Sequence, residues 1–225
     1  CRRLTEGVDA VVHVANHPGV SRSRARRVFD ENVRMNRNIL KQVVERGIRK
    51  LVFTSTVQTF SLVTGLRSEK VPSNLRSTDI LEYLPMDGNM LLRPINAYSL
   101  SKAITEGMIE YSVNLSPSLS AVVVRFPYIA RPDRTSCADT AGQTAKCSTW
   151  SRLLAFMRRK MLYGSVSAWH AMMQLEGFTF LHVKDAASLL GRLAVSDLPG
   201  FRVYFAASEQ NVLGRTALDV IREFY

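Results

Sequence analysis

Apolar residues fill most of 8–15, broken only by Asp9 and His13, and the loop formers Asn16-His-Pro-Gly19 follow at once. A short, nearly continuous apolar run bounded by turn residues predicts a strand buried on both faces, as in a parallel sheet. From about 24 to 45 the period becomes helical. Val28, Met35, Ile39 and Val43 form the apolar stripe, and Asn32 falls on it. An amide facing inward must find partners, because burying it unpaired costs about 1–3 kcal/mol. Gly47 closes this helix and residues 50–55 form the next apolar run. Strand, helix, strand predicts a βαβ unit with parallel pairing and a right-handed crossover.

The remaining pattern continues the alternation. Residues 61–95 are rich in Ser, Asn, Pro and Gly, a long excursion that reads as a lid, a binding loop or disorder. A helix is predicted over about 98–114, then a strand over 120–126 that Pro127 and Arg131-Pro132 break. After a polar segment at 133–147, a helix is predicted at 149–161. A strand at 178–183, a helix at 184–194, a strand at 201–206 and a helix at 215–225 complete the chain, with no internal repeat.

Two clusters carry candidate chemistry. Hydroxyls gather where the second strand ends, at Thr54, Ser55, Thr56 and Thr59. Ligands of open α/β sheets sit beyond the carboxyl ends of the strands, although hydroxyls there also cap turns. Tyr98 and Lys102 are four residues apart, so both project from one helical face. A phenol beside a fixed ammonium can exchange a proton near neutral pH if its pKa falls by about three units. Such a fall needs roughly 4 kcal/mol, within reach of a close Lys plus a second positive charge. Alone, the same spacing describes an exposed helix start with a solvated lysine.

With 225 residues, 46% of them hydrophobic, the chain can bury a core as one domain with at most a small appendage. No apolar run approaches the roughly 18 residues of a membrane span. Cys1, Cys137 and Cys147 are odd in number and lack metal-ligand spacing, which points to a reducing, cytoplasmic setting and no metal. The opening residues resemble neither a signal nor a transit peptide and read as the interior of a longer protein. A net charge of +11 is densest at Arg22, Arg24, Arg26 and Arg27, with Arg34 and Arg37 beyond. It forms a solvated basic face or attracts anionic ligands. No aromatic residue lies within 22–27, where the arginines are densest, which disfavours a nucleic-acid surface.

Taken in order, these segments resemble the extended short-chain dehydrogenase/reductase family, in its NAD-dependent epimerase/dehydratase branch. The resemblance rests on 7–15, Asn32-Val33, Phe53-Thr-Ser-Thr56 and Tyr83-Leu-Pro-Met-Asp87 ahead of Arg93-Pro94. Tyr98-Ser-Leu-Ser-Lys102, Val124-Arg125 with Pro132, and 180–185 extend it. It implies a partial Rossmann-type, doubly wound parallel sheet over 1–132 and a small substrate-binding part over 133–225 that includes a late Rossmann strand. It also implies that Thr56, Tyr98 and Lys102 are catalytic, with Lys102 holding the cofactor ribose and depressing the Tyr98 pKa. Val14, Ala15, Asn16, Asn32, Thr54 and Pro127 would join Tyr98 and Lys102 around NAD or NADP, with NAD favoured by the family. Thr56, Tyr98 and Tyr128 would meet a small-molecule substrate, a sugar or an anionic nucleotide sugar. Pairing of the helices at 24–45 and 98–114 would give a homodimer.

Departures from the pattern sharpen these expectations. The family's first three strands and its Gly-rich phosphate turn are absent, so these residues alone should bind NAD poorly. The stretch 125–132 lacks the usual glycines, and Asn16 stands where a small residue is more common. Two further readings stay open: a hydroxysteroid- or flavonoid-type reductase of the same fold, drawing on the Met- and Trp-containing 161–173, and a non-catalytic protein that senses a dinucleotide.

Overall fold

Four parallel strands in the order β1–β2–β3–β6 carry the fold. They are β1 (Ala10–His13), β2 (Lys50–Thr56), β3 (Ser120–Phe126) and β6 (Phe201–Phe205). Helices α1 (Ala25–Glu45) and α2 (Ala97–Leu115) make the first two crossovers, and α3 (Val183–Val195) precedes β6. Short strands β4 (Tyr128–Ala130) and β5 (Phe180–His182) form a separate parallel pair. The computed structural model describes residues 2–18, 24–60, 87–94, 96–130 and 179–208. The helices predicted at 149–161 and 215–225, the segment 133–147 and most of the 61–95 excursion lie outside them. The α/β, Rossmann-type parallel sheet predicted from the sequence is the one observed.

Strand alternation sorts the core into two faces. Leu51, Phe53, Ala121 and Val123 pack with Leu40 and Val43 of α1 and Ile109 and Val113 of α2. Val52, Val122, Val124 and Phe126 point the other way, against Ala186 and Leu193 of α3 and Leu181 of β5. Successive strand residues face opposite sides, so each β2 and β3 residue serves one helix layer only.

Two predicted details change. The apolar run 8–15 yields a four-residue strand, because β2 pairs with it only from Ala10 to His13. Val14 and Ala15 leave the ladder and are exposed. On α1 the buried stripe is Val28, Asn32, Asn36, Leu40 and Val43, while Met35 and Ile39 are only half-buried. The inward row thus follows a four-residue step through two amides, which a search for apolar spacing passes over.

A candidate active site at the carboxyl edge of the sheet

Helix α2 begins at the carboxyl edge of the sheet, and its start is fixed locally. The Asn96 side chain accepts the Ser99 N–H at 2.8 Å, and the Ser99 hydroxyl accepts the Asn96 N–H at 3.2 Å, a reciprocal capping box. From that start, residues 98, 102 and 106 fall on one inward row. Three consecutive residues of β2 receive them. The Thr56 hydroxyl hydrogen-bonds the Tyr98 phenol. The Lys102 ammonium donates to the Thr54 carbonyl. The Ser55 hydroxyl meets the Glu106 carboxylate. The end of one strand and two turns of one helix are therefore zipped together by polar contacts.

Lys102 is 2% exposed, with its Nζ 4.6 Å from the centre of the Phe53 ring and 5.8 Å from that of Tyr98. Burial disfavours its charge and lowers its pKa to about 7, opposed by the Glu106 carboxylate. Burial likewise raises the Tyr98 phenol above its usual value, and the Thr56 hydrogen bond opposes the rise. The depression of Tyr98 expected from Lys102 is thus not what the protein's own groups produce. The reason is physical: burial of the phenol outweighs its hydrogen bond to Thr56, and the Lys102 ammonium is turned to the Thr54 carbonyl.

Behind Lys102 lies a second buried charge pair. The Arg125 guanidinium contacts Glu106 at 2.8 Å through Nη2, and Nη1 donates to the carbonyls of Gly88 at 3.0 Å and Met90 at 3.2 Å. Its planar face lies 5.5 Å from the centre of the Phe60 ring. Gly88 is required there for space, because a Cβ would come within 2.3 Å of the Val203 carbonyl oxygen. The sequence offered two signals for this pair. Glu106 stands four residues beyond Lys102, and Arg125 interrupts an otherwise apolar buried strand.

The loop after β1 is held by amides. Asn32 accepts the His17 N–H at 2.7 Å and donates to the His17 carbonyl at 3.1 Å and to Ser101 of α2 at 3.2 Å. Asn36 exchanges hydrogen bonds with Asn16, donates to Thr105 at 2.8 Å and accepts from His13 Nε2 at 2.7 Å. Burial lowers the His13 pKa, the Asn36 contact opposes that, and Lys102 adds to the lowering. Asn16, unusual at its position, is thereby given a partner that the sequence reading missed.

The predicted site residues thus fall into groups. Thr54, Thr56, Tyr98 and Lys102 meet directly. Asn16 and Asn32 brace the adjoining loop, from which Val14 and Ala15 emerge exposed. Pro127 is buried one residue beyond the Thr56–Phe126 register, and Tyr128 follows it on β4, 39% exposed and with its pKa raised by burial. Gln58, two residues past Thr56, has a buried Oε1 with no hydrogen-bond partner. A cavity of about 440 Å³ opens at the opposite, amino end of the strands, lined by Arg49, Lys50, Ser120 and Asp197, far from this chemistry.

The residues present fit the nicotinamide and ribose end of a dinucleotide. A phenol and an ammonium would suit ribose hydroxyls, with Lys102 only 2% exposed as it stands, and Val14 and Ala15 are exposed beyond the end of β1. A parallel α/β sheet crossed by helices, with hydroxyl, phenol and ammonium gathered at its carboxyl edge, defines a Rossmann-type protein. The chain belongs to the NAD dependent epimerase/dehydratase family, whose sequence model matches residues 1–200. Among solved structures it is similar to the UDP-Glc/GlcNAc 4-epimerase of Campylobacter jejuni, at 18% identity and TM-score 0.61, covering 98% of this chain and 61% of that one. The NAD dependent NDP-hexosamine 5,6-dehydratase TunA, of tunicamycin biosynthesis, gives 23% and 0.59, covering 98% and 61%. A short-chain dehydrogenase/reductase superfamily protein of Agrobacterium tumefaciens with bound NAD gives 17% and 0.62, covering 99% and 66%. The chain therefore spans between 61% and 66% of the length of these proteins. No curated protein sequence matches it. Among the described residues, no helix is long and apolar enough to cross a membrane.

Proposed function

We propose that the whole protein is an NAD(P)-dependent epimerase, dehydratase or dehydrogenase acting on an alcohol of a sugar or nucleotide sugar. The observation that carries this reading is the meeting of Thr56, Tyr98 and Lys102 at the carboxyl edge of β2. Thr56 orients the reacting oxygen, and Tyr98 takes or returns its proton. Lys102 serves the ribose and adds charge beside the phenol. NAD, when bound, supplies the hydride acceptor, and Val14, Ala15, Asn16 and Pro127 would border it. Tyr128 would meet the substrate.

The stretch 161–173, which would have favoured an apolar pocket, lies outside the described residues. The test is turnover of UDP-hexoses by the full-length protein with NAD. Tyr98→Phe should cut it about 10²–10⁴-fold, the usual contribution of general acid–base catalysis. Unchanged turnover in that variant removes Tyr98 from the chemistry. Absence of turnover in the full-length parent favours a dinucleotide sensor instead. Competition by hydroxysteroids or flavonoids, and not by nucleotide sugars, points to the apolar-substrate reductase.

A further inference from the structure

Glu106 and Arg125 are 3% and 4% exposed, and a buried ion pair of this kind often stabilises a fold no better than apolar residues would. Its placement points to electrostatics. Glu106 lies on the same inward row of α2 as Tyr98 and Lys102, and its charge acts on Lys102 through the interior. Arg125 and Ser55 both bind the carboxylate, so it meets an interior site already compensated. Among the described residues, the other groups facing Lys102 supply no negative charge. Phe53 and the Thr54 carbonyl face it from β2, Tyr98 from its own helix, and His13 from β1, where any proton on the imidazole would add repulsion.

We propose that Glu106 is a positioning residue for the Tyr98–Lys102 pair: bound in place by Arg125 and Ser55, its carboxylate is the buried counter-charge one helical turn from the Lys102 ammonium. Arg125 acts at one remove. Without it, the carboxylate would stand buried with one hydroxyl as its partner, and the counter-charge of Lys102 would no longer be held in place. With Lys102 neutral, the phenolate form of Tyr98 has no neighbouring cation. The link to turnover rests on the acid/base reading of Tyr98. The electrostatic link between Glu106 and Lys102 does not.

The test follows Lys102 Nζ by NMR in the intact protein labelled with ¹⁵N-lysine, the signal being assigned by its loss in Lys102→Arg. In Glu106→Gln the Lys102 midpoint should fall by about one pH unit or more, whereas Glu106→Asp should hold it within about half a unit. An unchanged midpoint in Glu106→Gln overturns the proposal. If that single variant does not fold, Glu106→Gln with Arg125→Met removes both charges together and leaves no buried ion alone. There the fall should be smaller, because a positive charge leaves with the negative one, and a midpoint that rises overturns the proposal. In turnover, the limb that needs the Tyr98 phenolate should move to higher pH in Glu106→Gln. A fall in the Lys102 midpoint, together with turnover indifferent to Tyr98→Phe, would keep the Glu106 link and discard the acid/base reading.

Discussion

The two faces of the sheet are built on different terms. Toward α3, β2 and β3 present Val52, Val122, Val124 and Phe126, and the helix and β5 answer with Ala186, Leu193 and Leu181. Toward α1 and α2 the apolar core occupies the middle of the strands only. Near their carboxyl ends it gives way to His13, Asn32, Asn36, Ser55, Ser101, Lys102, Thr105, Glu106 and Arg125, each no more than 7% exposed. Burial of apolar area is non-directional and adds stability wherever it occurs. Burial of ions and amides stabilises only when each is paired, so that face spends stability to hold groups in fixed places. The difference separates the part of the sheet that holds the fold from the part that holds the candidate site.

The largest effect should come from cutting the pair that makes the polar face tolerable. Arg125→Ala leaves Glu106 buried with Ser55 as its remaining donor, and frees the carbonyls of Gly88 and Met90. It should destabilise the fold by about 3–5 kcal/mol. On the other face Leu193→Ala should cost about 2–4 kcal/mol, as a cavity does. Urea denaturation at several pH values distinguishes the two. The Leu193→Ala loss should be the same at pH 5 and pH 8, whereas the Arg125→Ala loss should shrink at low pH, where Glu106 can be protonated. Equal pH dependence would show that the two faces are not built differently.

The same division explains what the sequence could and could not disclose. The α3 face was legible because its residues are apolar at strand and helix spacing, and the strand at 120–126 was placed to the residue. The Thr56–Tyr98–Lys102 constellation was legible because its members are reactive types in a recognisable order. The amides of α1 were half legible. Asn32 stood out on its stripe, but Asn36 was read past in favour of Met35 and Ile39, since apolar side chains were taken to define the inward row. Glu106 and Arg125 are 19 residues apart, and nothing local pairs them. Their meeting depends on α2 crossing back over β3, which only the fold provides. The direction of the Tyr98 shift was misjudged for the same reason, because it depends on how deeply the phenol is buried.

Lys102 is itself a cost that the chemistry imposes, so removing its charge should stabilise the fold. Its folded-state pKa of about 7 lies below the ordinary lysine value of 10.5. Between those values the unfolded chain binds the extra proton, so stability contributed by this group rises with pH across that window. Below pH 7 both states are charged and the penalty of burying the ammonium is complete. Lys102→Met should therefore raise stability at pH 7 by about 2–3 kcal/mol, after allowing for the lost hydrogen bond to Thr54. The gain should fade toward pH 10 while turnover is lost. Thermal denaturation at pH 6, 8 and 10 checks the sign. A loss of stability at pH 6 would mean that the ammonium is better compensated than its burial suggests.

The smallest effect should come from the amide seam, where the groups are polar but uncharged. Asn36→Ala removes the acceptor for His13 Nε2 and the partner of both Asn16 and Thr105. Thr105 keeps its bond to the Ser101 carbonyl, and Asn16 is only half-buried and can turn to water, so the cost should be about 1–2 kcal/mol. His13 has no such escape. Its hydrogen bond to Asn36 is the contribution that raises its pKa against burial, so the variant should titrate His13 at still lower pH by imidazole NMR. The Asn32 clamp on His17 would remain, and with it the loop after β1. If Asn36→Ala instead released that loop, measured as faster amide exchange of His17, the two amides would act as one unit. The polar face would then be a single cooperative network and not a set of separable pairs.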